Sequence, residues 1–149
     1  MPIAIKDSKI DITSEKSTLE LAQKFTKFIK GGEFIFLYGD MGVGKTTFVR
    51  YFINEFQESN NLPLTEITSP TFSLLNEYQV KDIRIKHYDL FRINKKEDIS
   101  SLDIFEKDDK LITFIEWPQL IADSQEIKSI DLTFSYLNDL NNRSVDIKV

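Results

Sequence analysis

The chain has 149 residues, 41% of them hydrophobic, which is enough for one compact domain with a substantial core. Its formal net charge of −5 argues against a free-standing nucleic-acid binder and favours a small-molecule or protein partner. The absence of cysteine excludes disulfide staples, thiolate metal sites and thiol catalysis, and no segment approaches the ~20 apolar residues of a membrane span, so elimination points to a cytoplasmic protein without membrane contact.

In chain order, the alternating isoleucines of residues 3–13 predict one or two short strands. Leu21, Phe25, Phe28 and Ile29 then fall at helical spacing, with Ser17 and Glu20 as a capping box and Gly31 as a stop. The run Phe34 to Tyr38 is apolar on both faces, as a buried strand is, and Phe48, Val49, Phe52, Ile53 and Phe56 mark one face of a second helix. Residues 57–70 read as a loop that is mobile without ligand. Segments 71–80 and 83–91 flank the polar link Lys81-Asp82 and predict an antiparallel hairpin. Residues 94–107 read as a short helix with Asn94 and Glu97 at capping-box spacing, and "LITFIE", 111–116, as another buried strand. Alternation over 129–137 and 143–149, joined by turn-forming residues, gives two more strands. No repeat, low-complexity tract or linker divides the chain, so residues 1–149 are expected to form a single domain.

Between the first buried strand and the second helix, Gly39 to Thr46 spells G-x-x-x-x-G-K-[ST], the phosphate-binding P-loop. Its glycines let backbone N–H groups turn inward and approach phosphates with no Cβ in the way. Lys45 supplies a point charge toward the β and γ phosphates, and the Thr46 hydroxyl can ligate Mg²⁺. The positive end of the following helix adds to the cradle.

The rest of the chain narrows the kind of P-loop protein. All glycines lie between positions 31 and 44, so no D-x-x-G switch or S-G-G-Q signature follows the loop, which removes regulatory GTPases and transporter ATPases. "NKKE" at 94–97 lacks the Asp of the guanine-reading N-K-x-D and reads as a helix cap. A metabolite kinase usually brings several arginines to two phosphorylated substrates; Arg50, Arg84, Arg92 and Arg143 leave that class possible but poorly equipped. Two carboxylates stand out by position. Glu116 closes a strand in the manner of a Walker B acid, and Asp89 ends the set Ile83, Ile85, His87, Asp89 on one strand face. On position alone each is as compatible with a loop cap or a solvated charge as with chemistry, His87 with a structural histidine, and Trp117 with a core anchor before the strand-ending Pro118.

"GDMGVGKTT", "SPTFSL" at 69–74, "HYDLFRI" at 87–93 and "IEWP" at 115–118, in this order and spacing, resemble the bacterial TsaE proteins, formerly called YjeE, over residues 13–149. These are P-loop ATPases of threonylcarbamoyladenosine formation in tRNA. The resemblance implies an α/β fold, a three-layer α/β/α P-loop NTPase-like sandwich with a mixed parallel and antiparallel sheet. It implies an ATP site formed by Asp40, Met41, Gly42, Val43, Gly44, Lys45, Thr46 and Thr47, with Trp117, Arg143 and Glu15 near the nucleotide. Thr46 and Glu116 match the family's Mg²⁺ positions, and Asp89 its acid beside the γ-phosphate; Lys45, Asp89 and Glu116 are thus the catalytic candidates. The implied partners are TsaB and TsaD, with tRNA reached indirectly through that complex. Departures are Phe91 for the usual Tyr, Gln119 for a common Glu after "IEWP", and no glycine around 100–103; none removes a group the chemistry needs. A nucleotide-dependent binding switch with negligible turnover and a small-metabolite kinase are the alternatives, separable by single-turnover hydrolysis and by where the phosphate ends.

Overall fold

Apolar side chains on both faces suit a strand to the interior of a sheet covered on both sides. The computed structural model, which describes residues 8–149, places Phe34–Tyr38 there. In chain order the elements are β1 (Lys9–Asp11), α1 (Glu15–Phe28), β2 (Phe34–Tyr38), α2 (Lys45–Ser59), β3 (Leu75–Val80), β4 (Ile83–Asp89), β5 (Leu111–Glu116), β6 (Ser129–Tyr136) and β7 (Arg143–Lys148). They form one seven-stranded sheet in the order β1-β7-β6-β2-β5-β4-β3. The pairs β2/β5, β2/β6 and β4/β5 are parallel; β3/β4, β6/β7 and β1/β7 are antiparallel. The sheet is therefore mixed, as expected, and the hairpin at Lys81-Asp82 is antiparallel. Residues 3–7 of the isoleucine alternation lie outside the described residues.

Both α-helices pack on one face of the sheet. Phe25, Phe48 and Phe52 meet Ile35, Leu37, Ile85, Phe114 and Phe134 in the main core. Edge-to-face ring pairs tie α1 to α2, Phe25 to Phe48 at 5.4 Å, and α2 to the sheet, Phe52 to Phe114 at 5.0 Å between centroids. On the opposite face Phe34, Phe36, Tyr88 and Ile115 pack with Ile99, Ile104 and Ile121, carried on and beside two 3-10 turns at Lys96–Leu102 and Pro118–Leu120. This third layer is thin and stops short of β6, β7 and β1, where Asp131, Thr133, Asp146 and Lys148 line an open hollow.

Local differences from the sequence expectation have local causes. Helix α1 starts at Glu15, because the Ser14 hydroxyl caps it by accepting from Ser17 N–H at 3.1 Å; the Ser17–Glu20 box does not form. Helix α2 runs on to Ser59, and Gln57 and Asn54 fasten Thr65 of the following loop to it. Residues 71–74 are a turn and not strand: Leu74 is left-handed (φ 69°) and its N–H bonds Pro70 O at 2.7 Å. Segment 96–102 is 3-10 with no side-chain cap from Asn94; Asp103 ends it in the left-handed region, and Tyr88 Oη holds it by donating to Leu102 O at 2.6 Å.

Candidate functional site

Because β2, β5 and β4 run parallel, their carboxyl ends emerge together, with Leu37 opposite Glu116 and Glu116 opposite Asp89. Ligand sites of open α/β sheets form at such ends. Period-two alternation puts Ile85, His87 and Asp89 of β4, and Ile112, Phe114 and Glu116 of β5, on the face beneath the helices. Core gives way to polar chemistry where the strands run out. Gly39 leaves β2 at φ 139°, and a Cβ there would lie 2.6 Å from Phe134 O and 2.9 Å from Val43 Cγ1, so only glycine makes this turn. Gly44 (φ 118°) starts α2 with no side-chain cap, leaving the first-turn N–H groups free to meet an anion.

The side chains converge on this helix start. Lys45 is 4% exposed; its Nζ donates to Gly39 O at 2.6 Å and lies 3.7 Å from the centroid of the Trp117 ring. Trp117 is itself left-handed (φ 56°), a conformation rare for a bulky residue, and its ring meets Phe91 at 4.7 Å. Thr46 Oγ1 donates to Glu116 Oε2 at 2.8 Å, and the same oxygen lies 2.6 Å from His87 Nε2. Asp89 accepts from Phe91 N–H at 2.9 Å and from Thr71 Oγ1 at 3.3 Å. Lys45, Thr71, Asp89, Phe91, Glu116 and Trp117 line a cavity of about 90 Å³ bordered by the exposed Met41 and Gly42. The larger hollow, about 540 Å³ on the bare β1/β7/β6 face, holds none of these residues; chemistry and not volume locates the site.

Burial pushes the Lys45 ammonium pKa down, against the pull of Glu116, Asp89 and Asp40. Burial pushes the Asp89 carboxyl up, with help from Glu116, against the Phe91 N–H, Thr71 and Lys45. The site therefore holds charge under desolvation, as functional sites do. Thr46 and Glu116 offer adjacent hard oxygens of the kind Mg²⁺ prefers. No cluster of three metal-binding side chains exists among the described residues, so such an ion would draw its other ligands from phosphate and water.

The other expected residues divide. Arg143 reaches the loop, its Nη1 3.5 Å from where a Gly44 Cβ would sit, while Nη2 donates to Thr13 O at 3.1 Å. The Val43 side chain is buried in the core, which leaves only its backbone for a ligand. Thr47 Oγ1 accepts from Arg50, and Glu15 is placed beside α2, accepting from Tyr51 Oη at 3.2 Å, with no hydrogen bond to the loop itself. Sequence reasoning missed Thr71 and Tyr136, whose hydroxyl lies 3.6 Å from the Gly42 Cβ position. Thr71 lay in a quoted motif but was read as strand; Tyr136 carries no signal beyond closing an alternating strand.

The model of the family described as threonylcarbamoyl adenosine biosynthesis protein TsaE matches residues 12–145. The protein named tRNA threonylcarbamoyladenosine biosynthesis protein TsaE from Rickettsia typhi is 36% identical over 137 residues, 92% of each chain. Its namesake from Borreliella burgdorferi is 32% identical over 114 residues, covering 74% of this chain and 78% of that protein. The crystal structure of YdiB from Bacillus subtilis superposes with a TM-score of 0.66 at 20% identity, covering 94% of this chain and 83% of that one, a likeness of fold. With the family model spanning nearly the whole chain and the loop, strand-end acids and sheet order in place, the chain belongs to the TsaE family.

Proposed function

We propose that this chain binds ATP with Mg²⁺ at the β2–α2 loop, hydrolyses it, and supports threonylcarbamoyl transfer to adenosine 37 of tRNA together with TsaB and TsaD. The observation that carries the reading is the Thr46–Glu116 pair, 2.8 Å apart at the start of α2, which joins the phosphate loop to a strand-end carboxylate. The names of the relatives support the pathway.

In this reading the loop N–H groups and Lys45 take the phosphates, Lys45 exchanging Gly39 O for β and γ oxygens. Thr46 and Glu116 would hold the cation, which would supply electrostatic stabilisation of the charge developing on the phosphoryl group. Asp89 stands where it can orient a water, and Trp117 and Arg143 flank the nucleotide. A binding switch with little turnover is the second reading. It is favoured by the Lys45–Trp117 contact, which any phosphate that recruits Lys45 must disturb. Single-turnover hydrolysis separates the two.

Reconstitution with TsaB, TsaD, tRNA, the threonylcarbamoyl donor and ATP tests the proposal. Multiple-turnover modification is expected to stop when this protein is omitted; modification that continues unchanged overturns the assignment.

A further inference from the structure

His87, the single histidine of the chain, is fully buried in β4 yet carries a polar atom that the fold does not satisfy. Its Nδ1 has no hydrogen-bond partner among the described residues. A phenylalanine or leucine would pack here with no such orphan, so core packing does not account for an imidazole at this position. The other nitrogen does. Nε2 lies 2.6 Å from Glu116 Oε2, and a carboxylate oxygen only accepts, so Nε2 bears the hydrogen between them.

Thr46 Oγ1 donates to that same Oε2 at 2.8 Å. Two donors from two elements, the start of α2 and the end of β4, therefore occupy one oxygen of Glu116. With Oε2 engaged on both sides, the carboxylate plane is fixed and Oε1 is the oxygen left for a cation or its water. The Thr46 lone pairs are freed in the same way, since its proton goes to Glu116. Lys45 exerts attraction on Glu116 across the site, and a carboxylate free to turn would be drawn into an ion pair with the ammonium the phosphates need.

We infer that His87 is a positioning residue, whose Nε2–H locks Glu116 in the orientation that serves the metal and keeps it from pairing with Lys45. The inference rests on the Mg²⁺-nucleotide reading of the site. It extends to a strand-end carboxylate the rule that partners behind the ligands set their direction, with losses of about 10- to 100-fold in metal affinity when they are removed.

Two measurements test it. Long-range ¹H–¹⁵N spectra of the untagged wild-type protein report the ring of its only histidine directly. The expected result is a slowly exchanging proton on Nε2; a ring with no proton on Nε2, or a solvent-averaged ring, overturns the inference. Calorimetric titration of ADP with and without Mg²⁺ then reads the gain in affinity that the metal confers. His87→Leu is expected to lose about tenfold or more of that gain while Mg²⁺-free ADP affinity stays within about twofold. His87→Gln, whose amide nitrogen reaches the Nε2 position, is expected to restore most of it. If the Leu chain does not fold, His87→Asn, whose amide lies at the Nδ1 position, takes its place with the same expected loss. A gain retained without the donor, or a folded Gln variant that fails to rescue, overturns the His87 inference alone. A wild-type protein with no Mg²⁺-dependent gain overturns the nucleotide–metal reading, and the role of His87 with it.

Discussion

Lys45 is already spoken for by its own loop, bonded to Gly39 O and stacked over Trp117, so its charge is stored close to where phosphate oxygens would lie. Replacing it with alanine removes the cation and exposes the Trp117 face. Lys45→Ala is expected to weaken ADP binding by about 2 kcal/mol, or roughly 30-fold, in a calorimetric titration; unchanged affinity would remove the phosphate-cradle reading. Asp89 shows the opposite balance. Its folded pKa lies above the ordinary carboxylate value because of burial, so the native state holds the proton more tightly than the unfolded one. Stability from this group is present at low pH and falls as pH rises through the folded value. At neutral pH its ionised form is a cost to the fold. Asp89→Asn keeps an acceptor for Phe91 N–H and is expected to raise stability at pH 7 by about 1 kcal/mol, seen as a higher Tm that converges with wild type in acid, while hydrolysis falls. A lower Tm at pH 7 would mean that its bonds to Thr71 and Phe91 outweigh burial. The loop and the two strand-end acids were legible in the sequence because each is written locally, as a contiguous motif or an alternation. The Thr71–Asp89 bond and the shared oxygen of Glu116 were not, because they depend on the register between β4 and β5 and on the turn at 71–74.

At the level of elements, the thin third layer depends on a charged clamp. Lys86, 5% exposed on β4, places Nζ 2.7 Å from Glu106 Oε1, and Arg84 on the same strand pairs with Glu106 Oε2. This ties the segment after the 96–102 turn back to the sheet. Hydrogen bonds from Arg84 and Lys86 hold the Glu106 carboxyl down at about 2. A depressed folded pKa contributes stability that is present above the unfolded value of 4.5 and lost as pH falls toward 2. Glu106→Gln is therefore expected to destabilise at pH 7 by about 1 kcal/mol once solvent screening at the half-exposed Arg84 is allowed for, the deficit narrowing between pH 4.5 and 2. A denaturation series across that range checks it; a deficit that does not change with pH would assign the loss to packing. The strands most readily read from sequence, β2 and β5, are those buried on both faces, where nothing but continuous apolar chain fits. Helix starts were misplaced because Ser14 and Ser17 both offer a capping hydroxyl, and Asn94 offers a cap that a 3-10 turn does not use. Which hydroxyl caps shows only in the folded chain, where Ser14 Oγ accepts from Ser17 N–H, and spacing rules do not rank the two.

For the molecule as a whole, what the proposed phosphate site lacks among the described residues is a free arginine in addition to Lys45. Each arginine has another engagement: Arg50 with Thr47, Arg84 with Glu106, Arg143 with Thr13, and Arg92 over the Phe72 ring at 5.0 Å. Phosphoryl-transfer transition states spread charge that an added arginine commonly stabilises, by about 10³- to 10⁵-fold when supplied in trans. Beside the site, meanwhile, apolar surface is open. Phe72 is 82% exposed and Phe91 46%, with Leu74 and Ile93 close to Phe72. Under the proposed function these exposed aromatics beside a charged cleft are the surface that a protein partner would bury, and the formal net charge of −5 would leave tRNA contacts to that partner. The isolated chain is thus expected to hydrolyse ATP slowly and to be stimulated at least ~100-fold when TsaB and TsaD dock, through an added cation or an ordered Thr71–Asp89 segment. Phe72→Ser, outside the cavity lining, is expected to leave the basal rate unchanged and to raise the partner concentration needed for half-maximal stimulation by about tenfold. Steady-state phosphate release decides between the alternatives. Fast turnover by the chain alone, indifferent to both partners, would mean that Lys45, Thr46, Asp89 and Glu116 already complete the catalytic set; stimulation that Phe72→Ser does not alter would move the docking surface to another face.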